Sequence, residues 1–282
     1  MHRSVIFLLA LISYTTVLAQ NDPPDWSKEY EPFRVVGNVY YVGTHDLACY
    51  LIVTPKGNIL INTGLASSAP MIQASVEKLG FKMQDIKILL TTQAHYDHVA
   101  AMAEIKKLTG ASFMVSKKDA QVMAEGGKTD HAFGQNRNFW FEPVKADRLL
   151  NDGDVIELGD TRITFLDHPG HTKGSASYMM DVKDENKTYR LLLVNLPSIV
   201  VSRKFSAITE YPTIAEDYAK TLAAQKNLKF DLWVSSHASQ FNMHSKRKPG
   251  DKYNPEVFAD REGYDAAVKN MEAAYDRKIR EN

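Results

Sequence analysis

Cysteine is almost missing from this chain of 282 residues, which contains only Cys49. A single cysteine excludes an intrachain disulfide, and it excludes a zinc site built from several thiolates. Cys49 lies in the apolar run LACYLIV, where a buried structural thiol is expected in preference to a reactive one. Its role beyond packing stays open.

An excess of charge of either sign is also missing, because 34 Lys and Arg residues balance 34 Asp and Glu residues. The chain has no basic stripe and no acidic tail, so neither nucleic acid nor an anionic membrane surface is an expected partner. Aromatic and aliphatic residues occur at ordinary frequency, which predicts a globular chain with a substantial core.

The sequence lacks the G-x-S-x-G motif, so nothing in it indicates a serine nucleophile on a strand-to-helix turn. Ser75 and Lys78 match the S-x-x-K pattern of another class of serine enzymes. The SDN and KTG motifs that accompany that pattern are missing, and the match is interpreted as chance.

No apolar run reaches the roughly 20 residues that a membrane-spanning helix needs. The N-terminus instead has a positive start at Arg3, an apolar stretch over residues 5–12 and small residues up to Ala19. This layout predicts a signal peptide over residues 1–19. We expect a periplasmic mature chain, residues 20–282, with no membrane anchor after cleavage.

The rest of the chain alternates strand and helix patterns. Residues 33–64 carry short β-rich runs separated by GN, GT and PKGN turns, as in successive antiparallel strands. Helical spacing over 67–80 and 99–110, ended by glycines, flanks a buried strand at 85–92. From residue 149 strands and then helices repeat. Two such halves without a linker predict one layered α/β (α+β) domain with sheets inside and helices outside.

Three histidine-bearing segments follow predicted strands, and loops at strand ends commonly carry function. They are QAHYDH (93–98), HPGHTKG (168–174) and SSHASQ (235–240). The titratable groups of QAHYDH would repel or desolvate one another without a cation, and zinc favours imidazole and carboxylate ligands. An extended loop would point Gln93, His95 and Asp97 to one side and aim His98 elsewhere, so one segment could serve two metals.

The other histidines carry weaker signals. His45, His131 and His244 lie in polar segments and are expected to be solvated. His168 precedes a proline near the second cluster, and a structural role is favoured over one in orienting a ligand. Asn186 begins a lone Asn-Lys-Thr match to a glycosylation acceptor, which is weak by itself.

QAHYDH resembles the His-x-His-x-Asp-His signature of the metallo-β-lactamase superfamily, with Gln93 in the first His position. A GHT segment and a late SSH segment follow in the order of that family. YYVGTHDLACYLIVTPKGNILINTG, HPGHTKGS and SSHASQF are similar to stretches of class B zinc β-lactamases of the third subclass. GOB-type members match best, since they also carry Gln there. The resemblance covers most of the chain and implies a four-layer αββα sandwich.

The resemblance also implies a ligand set for one or two zinc ions. One zinc would be held by Gln93, His95 and His171, and the other by Asp97, His98 and His237. The first two subclasses use a cysteine at the second site, but Cys49 lies far upstream, so that role falls to His98. An amide oxygen is a weaker ligand than imidazole, which favours filling of the Asp97 site first.

Further positions follow from the same resemblance. Leu196 and Ser198 match positions near the carboxylate of the substrate. Asn62 stands where many members carry Asp in a DTG-like turn, and the turn itself, Asn62-Thr63-Gly64, is kept.

The implied activity is zinc-dependent hydrolysis of the β-lactam amide bond in penicillins, cephalosporins and carbapenems, which confers antibiotic resistance. Metal-bound hydroxide would attack the lactam carbonyl, and Asp97 would orient the water and relay its proton. No acyl-enzyme is needed. We expect a monomer with a small-molecule substrate, and the preferred β-lactam class stays open.

Three alternatives stay open with that activity. A lactonase acting on acyl-homoserine lactones and a glyoxalase-type thioesterase share the fold, but both normally use the full His-x-His motif and a bridging Asp. This sequence has Asn195 after the GHT strand instead. A zinc-binding protein without turnover is the alternative outside enzymes, and the complete set of ligands at the second site argues against it.

Overall fold

The computed structural model describes residues 22–185 and 187–281. The predicted signal peptide and Asn186 lie outside these residues. Within the described ranges, no helix combines the length and the apolar character needed to cross a membrane.

The first sheet has seven strands in the order of the chain. Four antiparallel strands are followed by three that run parallel to their neighbours. They are Phe33–Val36 (β1), Val39–Tyr41 (β2), Tyr50–Thr54 (β3), Gly57–Ile61 (β4), Ile86–Leu90 (β5), Ser112–Ser116 (β6) and Arg148–Leu150 (β7).

The second sheet has five strands, and its last strand in sequence lies at one edge, parallel to its neighbour. The strands are Val155–Leu158 (β8), Thr161–Asp167 (β9), Ala176–Asp184 (β10), Lys187–Val194 (β11) and Leu232–Ser235 (β12). Their order across the sheet is β12-β11-β10-β9-β8.

The helices include three long ones and four of eight residues or fewer. They are Ser68–Lys78 (α1), Tyr96–Val99 (α2), Met102–Thr109 (α3), Ala120–Ala124 (α4), Ile214–Lys226 (α5), Met243–Lys246 (α6) and Arg261–Arg280 (α7). Short 3₁₀ turns occupy Pro24–Trp26, Met83–Asp85, Arg137–Phe139, Phe205–Ala207, Ala238–Phe241 and Pro255–Phe258.

Alternation along the strands divides the apolar residues between two cores. On β3, Tyr50 and Ile52 face the core between the sheets, whereas Leu51 faces the core beneath α1 and α3. On the other side, α5 and α7 cover the second sheet, and Tyr264 of α7 packs against Trp233 of β12. The αββα sandwich implied by the sequence resemblance is confirmed.

The predicted helix ends agree with the structure. Helix α1 is followed by Gly80 with φ +85°, and α3 by Gly110 with φ +67°. These left-handed conformations cost glycine little and stop a helix.

The prediction of an extended loop through residue 97 is wrong. His95 is extended, but the chain then turns into the short helix α2, in which His98 N donates to the His95 carbonyl at 2.9 Å. Asp97 and His98 are therefore consecutive helical residues, and their side chains meet instead of pointing apart.

Candidate metal centre

One end of the sandwich carries a cavity of about 290 Å³ at the ends of β5, β9 and β12. Five of the six predicted ligands reach it, and aromatic side chains form much of its wall. It is lined by Trp26, Gln93, His95, Tyr96, Asp97, Phe133, Phe139, His171, Asn195, Ser198, Val200, His237 and Gln240.

Asp97, His98 and His237 form a compact group of donor atoms. Asp97 Oδ2 lies 3.2 Å from His98 Nε2 and 3.5 Å from His237 Nε2. One donor atom from each of the three residues lies within 4.8 Å of the other two. Two imidazoles and a carboxylate are a donor set that suits catalytic zinc.

His98 supplies an independent sign that this group fits a metal. Its side chain is 1% exposed, and among the described residues neither ring nitrogen makes a hydrogen bond of good geometry; Nε2 has only the ion-pair contact with Asp97 Oδ2 at 3.2 Å. A buried polar atom without a partner costs roughly 1–3 kcal/mol, which proteins normally avoid. A cation bound by one ring nitrogen would remove that cost at this atom.

A second group faces the same cavity. His95 Nδ1 and His171 Nε2 lie 3.0 Å apart, and the buried side chain of Gln93 lines the wall beside them. The other nitrogen of each ring is turned away from the partner ring. His171 Nδ1 lies 2.7 Å from the Ser198 carbonyl oxygen, and His95 Nε2 lies 3.4 Å from a carboxylate oxygen of Asp130.

The imidazoles of the centre divide into two kinds. Burial lowers the pKa of His98 and lowers that of His171 to about 3, so both rings are neutral as metal ligands must be. Burial also acts on His237, but the hydrogen bonds to Asp46 and Asp97 outweigh it and raise its pKa to about 9. Asp130 likewise raises the pKa of His95.

Burial opposes the charge of Asp97, but the neighbouring His98 and His237 outweigh it and hold the pKa of the carboxyl well below its usual range. Asp97 is therefore an anion at neutral pH. A metal that binds here would meet a carboxylate that is already charged.

Buried polar residues hold the ligand loops in place. Asp119 accepts hydrogen bonds from Ala94 N at 3.1 Å and from the Thr172 hydroxyl at 2.6 Å, and so joins the two loops that carry His95 and His171. Asn62 adopts φ +64°, which asparagine tolerates, and its Oδ1 accepts from Thr92 N at 2.9 Å.

Two carboxylates of the centre were missed by the sequence reasoning. Asp46 Oδ2 lies 3.1 Å from His237 Nδ1, and Asp130 Oδ2 lies 3.4 Å from His95 Nε2. Asp46 lies in GTHDLACY, a stretch that carries the family resemblance, but no local pattern connects it with a histidine 191 positions away. Asp130 directly precedes His131 in the sequence. This acid next to a histidine could have indicated that Asp130 belongs to the centre.

The other histidines can be compared with their predicted solvated or structural roles. His131 is 5% exposed, so its predicted solvation is wrong; it packs against Tyr211, and burial lowers its pKa to about 4. His45 and His244 are half-buried and stack at 3.9 Å. His168 Nδ1 lies 2.7 Å from the Ser177 hydroxyl, in agreement with a structural role.

The two predicted substrate contacts lie in different places. Ser198 lines the cavity, with its hydroxyl 3.2 Å from His171 Nδ1. Leu196 is 2% exposed and packs in the core between the sheets, where it offers no surface to a ligand. Cys49 is buried as predicted, and burial raises the pKa of its thiol.

Comparison with known proteins places these features in context. The family model "Metallo-beta-lactamase superfamily" matches residues 43–181. Among solved structures, the class B3 di-zinc metallo-β-lactamase LRA-12 from an Alaskan soil metagenome is 58% identical, with a TM-score of 0.90 over 93% of this chain and 98% of that one. The metallo-β-lactamase GOB-18 from Elizabethkingia meningoseptica is 52% identical, with a TM-score of 0.92 over 94% and 97% of the two chains.

Shorter similarities extend to other hydrolases. A hydroxyacylglutathione hydrolase of Rhodopseudomonas palustris is 31% identical over 132 residues, which are 47% of this chain and 42% of that protein. The match thus spans less than half of the length of this curated relative.

Proposed function

Because the chain belongs to the metallo-β-lactamase superfamily and is a hydrolase, we propose that it hydrolyses the amide bond of β-lactam antibiotics with zinc. The observation that carries the proposal is the Asp97, His98 and His237 group: Asp97 and His237 line a cavity with aromatic walls, and His98 is buried beside Asp97. The similarity to class B3 enzymes over nearly the whole chain supports the substrate class.

The donor atoms divide between two zinc positions. Asp97, His98 and His237 would hold one ion, and Gln93, His95 and His171 the other. Bound zinc would supply a water of lowered pKa and would stabilise negative charge on the leaving nitrogen. The side chains of the cavity would transfer the proton, bind the substrate and exclude water.

Asp97 combines two roles in this proposal. Its charged carboxylate is a zinc ligand, and it lines the cavity, so it is placed to accept a hydrogen bond from the attacking water. It would then carry the proton of that water toward the ring nitrogen as the amide bond breaks. No covalent bond to the protein is required.

The aromatic wall holds the substrate and excludes water. The rings of Phe133 and Phe139 pack 4.7 Å apart, and Phe133 meets the edge of His95 at 4.8 Å. Such rings offer a large apolar surface to the fused rings of a β-lactam. The Ser198 hydroxyl lines the same cavity, 3.2 Å from His171 Nδ1, and would donate a hydrogen bond to the carboxylate of the substrate.

The amide of Gln93 makes the two zinc positions unequal. Gln93 provides neither charge nor an imidazole nitrogen, so zinc is expected to bind there more weakly. The Asp97 site keeps a full donor set, and we propose that it fills first and supports turnover with one ion. Periplasmic location after removal of residues 1–19, a monomeric state and a role in antibiotic resistance belong to the same proposal.

A thioesterase is the second candidate, because the similarity to hydroxyacylglutathione hydrolases favours it. Asn195 argues against both this activity and a lactonase. It stands where those enzymes carry a bridging Asp, and its side-chain amide donates to the Thr92 carbonyl at 3.0 Å. A neutral, engaged amide is a poor substitute for a carboxylate between two metals.

The test uses residues 20–282, stripped of metal by a chelator, with zinc added back in steps. Hydrolysis of a carbapenem, a penicillin, a cephalosporin, an acyl-homoserine lactone and a glutathione thioester is followed at each step. Carbapenem hydrolysis that saturates near one equivalent supports the whole proposal. Saturation near two equivalents would show that hydrolysis needs both zinc ions, with Gln93 as a ligand of the second. Zinc binding without β-lactam hydrolysis would overturn the substrate class.

A further inference from the structure

We propose that Asp46, held in place by Trp26, is a positioning residue of the metal centre. It fixes the ring of His237 so that Nε2 faces Asp97 and the incoming metal. This inference rests on the zinc site of the proposed function and extends it to the N-terminal segment, residues 22–28, which carries none of the predicted ligands.

The two nitrogens of His237 face different carboxylates. Nδ1 lies 3.1 Å from Asp46 Oδ2, and Nε2 lies 3.5 Å from Asp97 Oδ2. An imidazole that donates its outer N–H to a carboxylate keeps its other nitrogen free for a metal and becomes a stronger ligand. Asp46 therefore determines both the ring orientation and the nitrogen that binds.

Asp46 itself is held from several directions. Its Oδ2 accepts a hydrogen bond from Trp26 Nε1 at 3.1 Å, and its Oδ1 accepts one from Ser239 N at 2.8 Å. Its backbone N–H donates to the Asp25 carbonyl at 3.1 Å, and its own carbonyl accepts from Ala238 N at 2.7 Å. The carboxylate cannot rotate away from His237 without losing its bonds to Trp26 and Ser239; the two backbone bonds fix the position of the main chain that carries it.

The N-terminal segment thus becomes part of the centre. Trp26 lines the cavity, and its ring centroid lies 5.7 Å from that of His237 and 6.1 Å from that of Tyr96. The Tyr96 hydroxyl donates to Asp22 at 2.8 Å, which attaches the start of the segment to α2. Tyr96 lies between His95 and Asp97 in the sequence, so this bond joins the segment to the turn that carries two proposed ligands.

A purely structural role would make a different prediction. If Asp46 only fastened the N-terminal segment, removing its charge would lower stability without changing how zinc is held. A positioning role requires weaker zinc binding even in a folded protein. The two roles are separated by measuring zinc affinity and the stability of the metal-free protein in the same variants.

The variants are Asp46→Asn, which removes the charge, and Trp26→Phe, which keeps a ring but removes the indole N–H. Asp184→Asn is the matched control, since this buried carboxylate also holds a cation, Arg34 at 3.0 Å, but does not line the cavity. Zinc affinity is measured by competition with a chromophoric chelator. The absorption spectrum of the cobalt(II)-substituted protein reports the ligand geometry.

We expect Asp46→Asn to weaken zinc binding roughly 10- to 100-fold, as for outer carboxylates of other zinc sites, and to shift the cobalt spectrum. Trp26→Phe should change zinc affinity and the cobalt spectrum in the same direction but by less, and Asp184→Asn should leave both unchanged. Wild-type zinc affinity and cobalt spectrum in both Asp46→Asn and Trp26→Phe would overturn the proposal. If Asp46→Asn fails to fold, unchanged zinc binding in Trp26→Phe is sufficient to overturn it.

Failure of this inference is distinguishable from failure of the proposed function. Weakened zinc binding in Asp46→Asn, in a protein that hydrolyses no β-lactam, keeps the positioning role and removes the substrate. Full β-lactam hydrolysis by the wild type, with unchanged zinc affinity in the variants, removes the positioning role and keeps the substrate.

Discussion

Asp119→Ala is the substitution whose effect the structure specifies most closely. Asp119 is buried, and it accepts three hydrogen bonds: from Ala94 N at 3.1 Å, the Thr172 hydroxyl at 2.6 Å and Gly174 N at 2.7 Å. Alanine removes all three acceptors at once. The loops that carry His95 and His171 then lose their common attachment.

The expected cost follows from the donors left behind. The Thr172 hydroxyl can turn to the Ser175 hydroxyl, which already lies 2.8 Å away. The amides of Ala94 and Gly174 keep no such alternative, and each buried unpaired donor costs about 1–3 kcal/mol. Relief of the burial of a charge offsets part of this sum, so we expect a loss of about 2–4 kcal/mol.

The assay is urea unfolding of the metal-free protein at about pH 8, well above the pKa of Asp119. Burial raises that pKa to about 6, so the carboxylate is charged under these conditions. Asp147→Ala is the matched control, because Asp147 also accepts from a backbone amide, Phe113 N at 2.7 Å, and from Lys106. Its side chain is 47% exposed, and a loss below about 1 kcal/mol is expected there.

Equal losses of unfolding free energy in the two variants would refute the reasoning, since burial of the donors would then not affect the cost. A large loss of stability in Asp119→Ala with unchanged zinc affinity would keep the energetic account. It would, however, remove the claim that Asp119 holds the ligand loops together.

Further expectations follow from the same structure. Asp97→Ala should weaken zinc binding and hydrolysis by more than ~100-fold, because it removes a ligand and not an outer partner, whereas Gln93→Ala should cost less than roughly 10-fold. Burial lowers the pKa of His168 to about 4, so the unfolded chain takes up a proton first as pH falls. The neutral ring therefore contributes its full stability above about pH 6.5, and this contribution falls by up to about 3 kcal/mol as the pH drops toward 4. His168→Asn should remove this part of the pH dependence, as measured by urea unfolding. Gly170→Ala should destabilise the protein by about 1–3 kcal/mol, because φ is +131° and the added Cβ would lie 2.9 Å from the Tyr218 ring.

Each of these expectations has a contradicting result. A greater loss of activity in Gln93→Ala than in Asp97→Ala would reverse the order of the two zinc sites. An unchanged pH profile in His168→Asn would show that His168 is not the group that titrates. Gly153→Ala is the control for Gly170, since φ is +81° there and no atom lies within 4 Å; an equal cost at both sites would exclude the clash with Tyr218.

The sequence by itself determined most of the secondary-structure elements and the types of side chain that the candidate site contains. Local periodicity is a property of neighbouring residues, so the strands at 33–64, the helix end at Gly80 and the helix end at Gly110 could be predicted. The three histidine-bearing loops follow strands, and strands in a common sandwich bring such loops to one end. The proposed ligands, with the amide of Gln93 among them, follow from the family resemblance of the motif.

Only the tertiary structure decided how those proposed ligands are held. Asp46 reaches His237 across 191 positions of the chain, and this contact depends on strand pairing and on the path of the N-terminal segment. The burial of His131 was missed because the residue that it packs against, Tyr211, is distant in the sequence. The helical turn at Asp97 was missed although a local hydrogen bond, from His98 N to the His95 carbonyl, closes it. A sequence motif names the ligands of a metal, but their orientation is set by partners that the motif does not contain.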